Sequence, residues 1–177
     1  MANPIRIKGM TRHNLYEQFA RRGYKVGAEI GVFRGRNALD ICRTIPGVRL
    51  YGIDHWQREG SFKTMQKVMK NYIRRGRFVV VKNDSITALK DFKDESLDFV
   101  YIDADHNFDS IIQDLIHWSR KVRNGGTVSG HDYFINYKKH VINAVDAFTC
   151  AHNIDFYITD EKVRKGKKVE SFFWEKC

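Results

Sequence analysis

The chain has 177 residues, 42% of them hydrophobic and 13% aromatic, the make-up of a folded domain and not of a disordered one. That length holds one well-buried core, a single domain over residues 1–177, and excludes a nucleotide-binding domain followed by a separate large substrate domain. A formal net charge of +10 favours acidic partners such as nucleic acid or phosphorylated metabolites, although basic runs such as 162–168 are also the ordinary make-up of a solvated surface.

In chain order, apolar residues at helical spacing over 15–19 lead through Gly23 into a short extended run, Val26-Gly27-Ala28-Glu29-Ile30. A helix over 37–43 ends before Pro46-Gly47, and Arg49 to Asp54 reads as the next strand. Phe62, Met65, Val68, Met69, Tyr72 and Ile73 form one stripe at spacings of three and four, which predicts an amphipathic helix over 61–75. Further strands are expected at 77–82, 97–102 and 126–130, with helices near 85–92, 107–122 and 137–151. Strand and helix alternate, so the expected fold is α/β: a doubly wound, mostly parallel seven-stranded sheet. Its last two strands, 154–158 and 169–174, flank a lysine-rich segment and read as a C-terminal antiparallel hairpin.

No stretch approaches the roughly 18–20 apolar residues of a membrane span, and Met1-Ala2-Asn3-Pro4-Ile5-Arg6 lacks the apolar run of a signal peptide. The expectation is a cytoplasmic protein with no membrane partner. Cys42, Cys150 and Cys177 are far apart, without the paired spacing of a zinc site or a disulfide framework.

In a doubly wound sheet, ligands bind beyond the carboxyl ends of the strands, so the residues following each strand carry the chemistry. The first is followed by Gly31-Val32-Phe33-Arg34-Gly35-Arg36-Asn37, two glycines with three residues between them that let a tight turn approach a ligand before a helix begins. This is not the G-x-G-x-x-G spacing of a dinucleotide site. Glu29, two residues before Gly31, would repel a pyrophosphate and attract a ligand carrying an ammonium and a sulfonium. Asp54 ends the second strand, where a carboxylate accepts hydrogen bonds from ribose hydroxyls, and His55 and Trp56 offer an edge or face to an adenine ring. After the third strand, in Asn83-Asp84-Ser85, Asp84 either caps the following helix or accepts from an adenine amino group.

This order of motifs, E-x-G-x-x-x-G, then an acidic residue closing the second strand, then N-D-S, resembles the class I S-adenosylmethionine-dependent methyltransferases over roughly residues 20–135. Tyr101-Ile102-Asp103-Ala104-Asp105-His106, Asp114-Leu115, Trp118, Gly125-Gly126 and Gly130-His131-Asp132-Tyr133 are similar to a small O-methyltransferase-like group, itself similar to macrolide-sugar and catechol O-methyltransferases. The resemblance implies that Glu29, Gly31 and Gly35 line the methionine end of the cofactor, with Asn37 and Ser85 among its contacts, Asp54 on the ribose, Asp84 near the adenine and Asp103 beside the sulfonium. It also implies a divalent cation, Mg²⁺ or another, on Asp103 and Asp132. The sequence departs from the catechol-type pattern at Tyr133, where those enzymes place Asn.

From the residues themselves, Asp103, Asp105, His106, His131 and Asp132 bring several oxygens and two imidazoles to neighbouring strand ends, enough for a cation. Without a metal, His106 or His131 could serve as the general base for a substrate hydroxyl. The leading expectation is methyl transfer to a hydroxyl of a small molecule such as a sugar or polyol. A nucleic-acid methyltransferase is compatible with the charge, though no Asn-Pro-Pro-Tyr-like or Pro-Cys motif accompanies it, and a non-catalytic cofactor-binding or scaffold protein is a third reading. The short chain leaves little material for a lid, which makes a homo-oligomer a candidate to complete the pocket.

Overall fold

The computed structural model describes residues 4–134, 139–161 and 170–177. A short strand β1 (Ile5–Arg6) precedes helix α1 (Arg12–Arg21), β2 (Val26–Ile30), α2 (Arg36–Thr44), β3 (Arg49–Asp54), α3 (Ser61–Arg74) and β4 (Phe78–Lys82). A 3₁₀ turn (Thr87–Asp91) follows, and then β5 (Leu97–Ile102), α4 (Phe108–Lys121), β6 (Val122–Gly130), α5 (His140–Ala151), β7 (Tyr157–Ile158) and β8 (Phe172–Glu175). The strands form one sheet in the order β1-β7-β8-β6-β5-β2-β3-β4. From β6 to β4 all neighbours are parallel, while β8 runs antiparallel to both β6 and β7.

Local chemistry explains the elements. Thr11 opens α1 with a capping box, its hydroxyl accepting from the Asn14 N–H while the Asn14 side chain accepts from the Thr11 N–H. Ala38, Ile41 and Cys42 on α2, with Met65 and Met69 on α3, bury one face of the sheet together with α1. Ile111, Leu115 and Trp118 on α4, with Val141, Ala144, Val145 and Phe148 on α5, bury the other. Each set recurs at three- and four-residue spacing, so a single helical stripe meets the sheet.

The alternation read from the sequence is thus present, with differences at the margins. Among the described residues the sheet has eight strands where seven were expected: the additional one, β1, is two residues long, too short to show a period, and pairs with β7 through long-range hydrogen bonds. The Arg6 side chain is tied to the Glu170 carboxylate. The helix expected near 85–92 is only the 3₁₀ turn, and the strand expected at 126–130 reaches back to Val122. Of the expected helix at 137–151, residues 137 and 138 lie outside the described residues, as does the lysine-rich run at 162–168.

Because the chain runs β2, β3, β4 in one direction and then crosses to β5 and β6 on the other side of β2, the order reverses between β2 and β5. The crevice at that reversal, at the carboxyl ends, is where such sheets hold ligands.

Candidate cofactor and methyl-acceptor site

A cavity of about 890 Å³ opens there, within the range of small-molecule and cofactor sites. Its wall is built from the residues after β2, β3, β4 and β5, closed from the side by Arg12 on α1 and by Ser110 and Asp114 on α4.

The glycine turn after β2 is shaped by close approach. Gly31 has φ +89°, and a Cβ there would stand 2.1 Å from the Asp103 carbonyl oxygen, so only glycine lets the end of β2 pass the end of β5. Gly35, at φ +76°, lies against Met65 and Met69 and not on the cavity wall. It caps α2 without a side chain, leaving the first N–H groups of the helix beside the cavity. Glu29 is fully buried. One of its carboxylate oxygens accepts from the Asn37 side-chain amide at 2.9 Å, while Asn37 accepts in turn from the Tyr16 hydroxyl at 2.7 Å. The other oxygen, Oε2, has no partner among the described residues. Burial pushes the Glu29 carboxyl up to about 8, against the opposing hydrogen bond from Asn37.

At the end of β3, Asp54 accepts from the Phe33 N–H (2.7 Å, Oδ2) and the Trp56 N–H (2.6 Å, Oδ1), which fixes the carboxylate at the cavity wall with one lone pair on each oxygen in reserve. His55 is exposed. Trp56 is buried, its indole N–H donating to the Phe33 carbonyl at 2.8 Å and its ring set edge-on to Phe62. The ring left exposed on this side is that of Phe33, with the guanidinium carbons of Arg34 and Arg58 5.0 and 5.2 Å from its centroid.

After β4, Asp84 accepts from the Thr87 N–H at 2.8 Å and so braces the entry to the 3₁₀ turn, whose N-cap is Ile86, while the residue also lines the cavity. Near Ser85 lies Asp114, a buried carboxylate on α4 whose Oδ1 has no partner among the described residues. Burial pushes Asp114 up to about 6, against the opposing influence of Ser85.

At the ends of β5 and β6 the groups converge. His106 Nε2 lies 2.5 Å from Asp132 Oδ2, and His131 Nδ1 lies 3.2 Å from Asp132 Oδ1 and 3.8 Å from Asp103 Oδ1. The hydrogen bond to Asp132 raises the His106 imidazole, in spite of burial, and Asp132 is held far below the usual carboxylate range by the two imidazoles, in spite of its own burial. Asp132 has φ +62°, a left-handed backbone that costs about 1 kcal/mol or more in a residue with a side chain. Asp103 and His106 line the cavity, with His131 and Asp132 behind them. Asp105 also lines it, but its carboxylate is turned to its own loop, accepting from Asn107 and from the Ser110 hydroxyl. Tyr133 points away: its hydroxyl donates to Asp146 at 2.8 Å and its ring meets Phe156.

Of the residues expected at the site, Glu29, Gly31, Asn37, Asp54, His55, Trp56, Asp84, Ser85, Asp103 and His106 share the cavity wall, His131 and Asp132 form its second layer, and Gly35 acts through packing. Among the wall residues that were not anticipated are Arg12 and Asp114. Arg12 stands near Tyr101 and its charge offsets those of Glu29 and Asp103; in the sequence it is one more basic residue at the start of a helix. Asp114 carried a readable signal, a carboxylate within the apolar stripe of Ile111, Leu115 and Trp118.

The buried, unpartnered carboxylate oxygen of Glu29 on the cavity wall fits the ammonium of an amino-acid tail, and the anchored Asp54 fits a ribose diol. For a cation, Asp103, His131 and Asp132 each offer one donor atom, all within 4.8 Å of one another. Two carboxylates and an imidazole suit a divalent metal, with Tyr133 contributing nothing.

Residues 28–133 match the methyltransferase domain family. No curated protein matches the sequence. Solved structures of similar fold include an O-methyltransferase from Bacillus cereus in complex with SAH (16% identity, 93% of this chain and 80% of that one, TM-score 0.74). The O-methyltransferase TomG from Streptomyces achromogenes, in complex with SAM, is also similar (16%, 94% and 80%, TM-score 0.68). So is a precorrin-6y C5,15-methyltransferase from Geobacter metallireducens (14%, 97% and 92%, TM-score 0.71). At these identities the likeness is one of fold, and the three names cover more than one kind of acceptor.

Proposed function

The chain belongs to the methyltransferase domain family, and from that membership we propose that it transfers a methyl group from S-adenosylmethionine to a hydroxyl oxygen of a sugar- or polyol-like acceptor. The observation that carries the acceptor half is the pair formed by His106 on the cavity wall and Asp132 behind it, a candidate base with its orienting carboxylate, opening into the cavity that also holds Glu29 and Asp54.

S-adenosylmethionine supplies a methyl group on a sulfonium, a good leaving group that needs no covalent help from the protein. Glu29 and Asn37 hold the amino-acid end, Asp54 the ribose, and Asp84 and Ser85 the adenine end. Asp103 stands at the methyl end with its carboxylate toward the cavity. His106, kept in one orientation by Asp132, accepts the proton of the acceptor hydroxyl, and His131 keeps Asp132 and Asp103 apart in a fixed geometry. Asp103, His131 and Asp132 would hold a divalent cation, whose charge would stabilise an alkoxide on the acceptor.

The test is transfer of a labelled methyl group from S-adenosylmethionine to a panel of sugars and polyols, with and without Mg²⁺. Labelled product that disappears with His106→Ala supports the reading. Cofactor binding with no product on any hydroxyl acceptor, with or without metal, contradicts it and favours a non-catalytic role.

A further inference from the structure

The positive charge of this chain is not evenly spread. Residues 56–83 contain eight lysines and arginines against a single carboxylate, Glu59, and so account for seven of the ten net charges. The structure gathers most of them on one surface. On α3, Lys63, Lys67, Lys70 and Arg74 are all exposed and follow one another at spacings of four, three and four, a single stripe roughly 17 Å long. Among the described residues none of the four has an ion pair, and α3 contains no acid to interleave with them. Like charges one turn apart destabilise a helix when nothing offsets them, so the stripe is an uncompensated feature of the isolated protein.

The stripe ends at the cavity. Arg58, just before the first turn of α3, lies beside the exposed Phe33 ring together with Arg34, and neither guanidinium has a carboxylate partner among the described residues. The cofactor has one carboxylate, and Asn37 with the uncapped start of α2 lies ready for it. These arginines therefore exceed what the cofactor needs. The exposed residues between the basic ones, Thr64, Gln66 and Asn71, are polar, so this face lacks the apolar side chains that a membrane-seated helix inserts. An exposed aromatic ring beside arginines, at the end of a line of lysines, is instead the combination that stacks bases and tracks a phosphate backbone.

We infer that the outer face of α3, continued by Arg58, Phe33 and Arg34, is a docking track for single-stranded nucleic acid that leads the strand to the mouth of the cavity. For its chemistry the track rests on the functional reading above, since the ribose hydroxyls of RNA are sugar-type acceptors; for its binding it does not.

The probe is a fluorescein-labelled single-stranded RNA of about a dozen nucleotides, followed by anisotropy at about 50 and about 200 mM salt, with S-adenosylhomocysteine titrated separately by calorimetry. Four phosphate contacts on a single strand predict that RNA affinity falls about 50-fold across that salt range. Combining Lys63→Gln, Lys67→Gln, Lys70→Gln and Arg74→Gln should remove most of the binding and most of its salt dependence, with the circular dichroism spectrum and S-adenosylhomocysteine affinity unchanged. Absence of RNA binding at the lower salt, or equal binding by the fourfold variant, overturns the inference. So does binding to phosphatidylserine vesicles, or to a hexose phosphate, without binding to RNA. RNA binding without S-adenosylhomocysteine binding would leave the track standing and remove the functional reading; the reverse result would do the opposite.

Discussion

The two walls of the cavity hold their carboxylates by different means. On the β2/β3 wall, Asp54 is fixed by two backbone N–H groups and Glu29 by an amide relay from Asn37 and Tyr16, so the groups that hold the carboxyls keep their charge near neutral pH although the Glu29 carboxyl itself is raised to about 8. On the β5/β6 wall, Asp132 is fixed by two imidazoles and Asp103 stands beside one of them, so the geometry itself depends on protonation. A wall built from backbone donors suits a ligand that is bound the same way every time. One built from imidazoles suits proton transfer, because the groups that orient are also groups that accept.

The first wall depends most on glycine. Gly31→Ala would force a Cβ into the Asp103 carbonyl from a left-handed backbone, and should cost about 3 kcal/mol or more in thermal or urea unfolding, with loss of cofactor binding. At the Pro46-Gly47 turn, where a Cβ on Gly47 meets nothing within 4 Å, the change of Gly47 to alanine should cost far less.

Next is Asp114, whose folded carboxyl is raised to about 6 from 3.8. A raised acid binds its proton more tightly in the folded state, so its effect is absent at low pH and stability is lost as pH rises from about 4 through about 6. Asp114→Asn removes that loss. Measured by denaturation at pH 4 and pH 8, the variant should gain on the parent by up to about 3 kcal/mol between the two.

Glu29 makes a smaller but more diagnostic difference. With its carboxyl at about 8 it is mostly protonated at pH 7, and an ammonium placed against Oε2 draws the proton off. S-adenosylhomocysteine binding at pH 7 should therefore release close to one proton, read by calorimetry in buffers of different ionisation enthalpy. Glu29→Gln should weaken binding about tenfold and abolish the release.

The smallest effect concerns Tyr133. Its hydroxyl is occupied by Asp146, so Tyr133→Phe should cost about 1 kcal/mol of stability and leave metal response and methyl transfer as they were.

These walls were not equally readable in the sequence. Glu29, Gly31 and Asp54 stand within a few residues of strand ends that alternation reveals, and a strand end in a doubly wound sheet already has a location. The His106–Asp132 pair could be proposed as a cluster, but its order, with one imidazole on the wall and the other behind, comes from the positive φ of Asp132 and the register of β6 on β5. Arg12 and β1 owe their places to neighbours on β5 and β7, far along the chain, which local periodicity does not encode, whereas Asp114 interrupts the apolar stripe of its own helix. His55 and Trp56 look alike as adenine platforms in sequence; in three dimensions Trp56 is spent holding the Phe33 loop, and Phe33 is the ring that remains exposed.

The central claim is that this cavity holds S-adenosylmethionine with Asp54 on the ribose. Calorimetric titration with S-adenosylhomocysteine, comparing the parent with Asp54→Ala, tests it most directly. The account predicts saturable one-site binding that falls by about 100-fold in the variant, the loss of two hydrogen bonds to a charged acceptor. No binding to the parent, or equal binding to both, would contradict it.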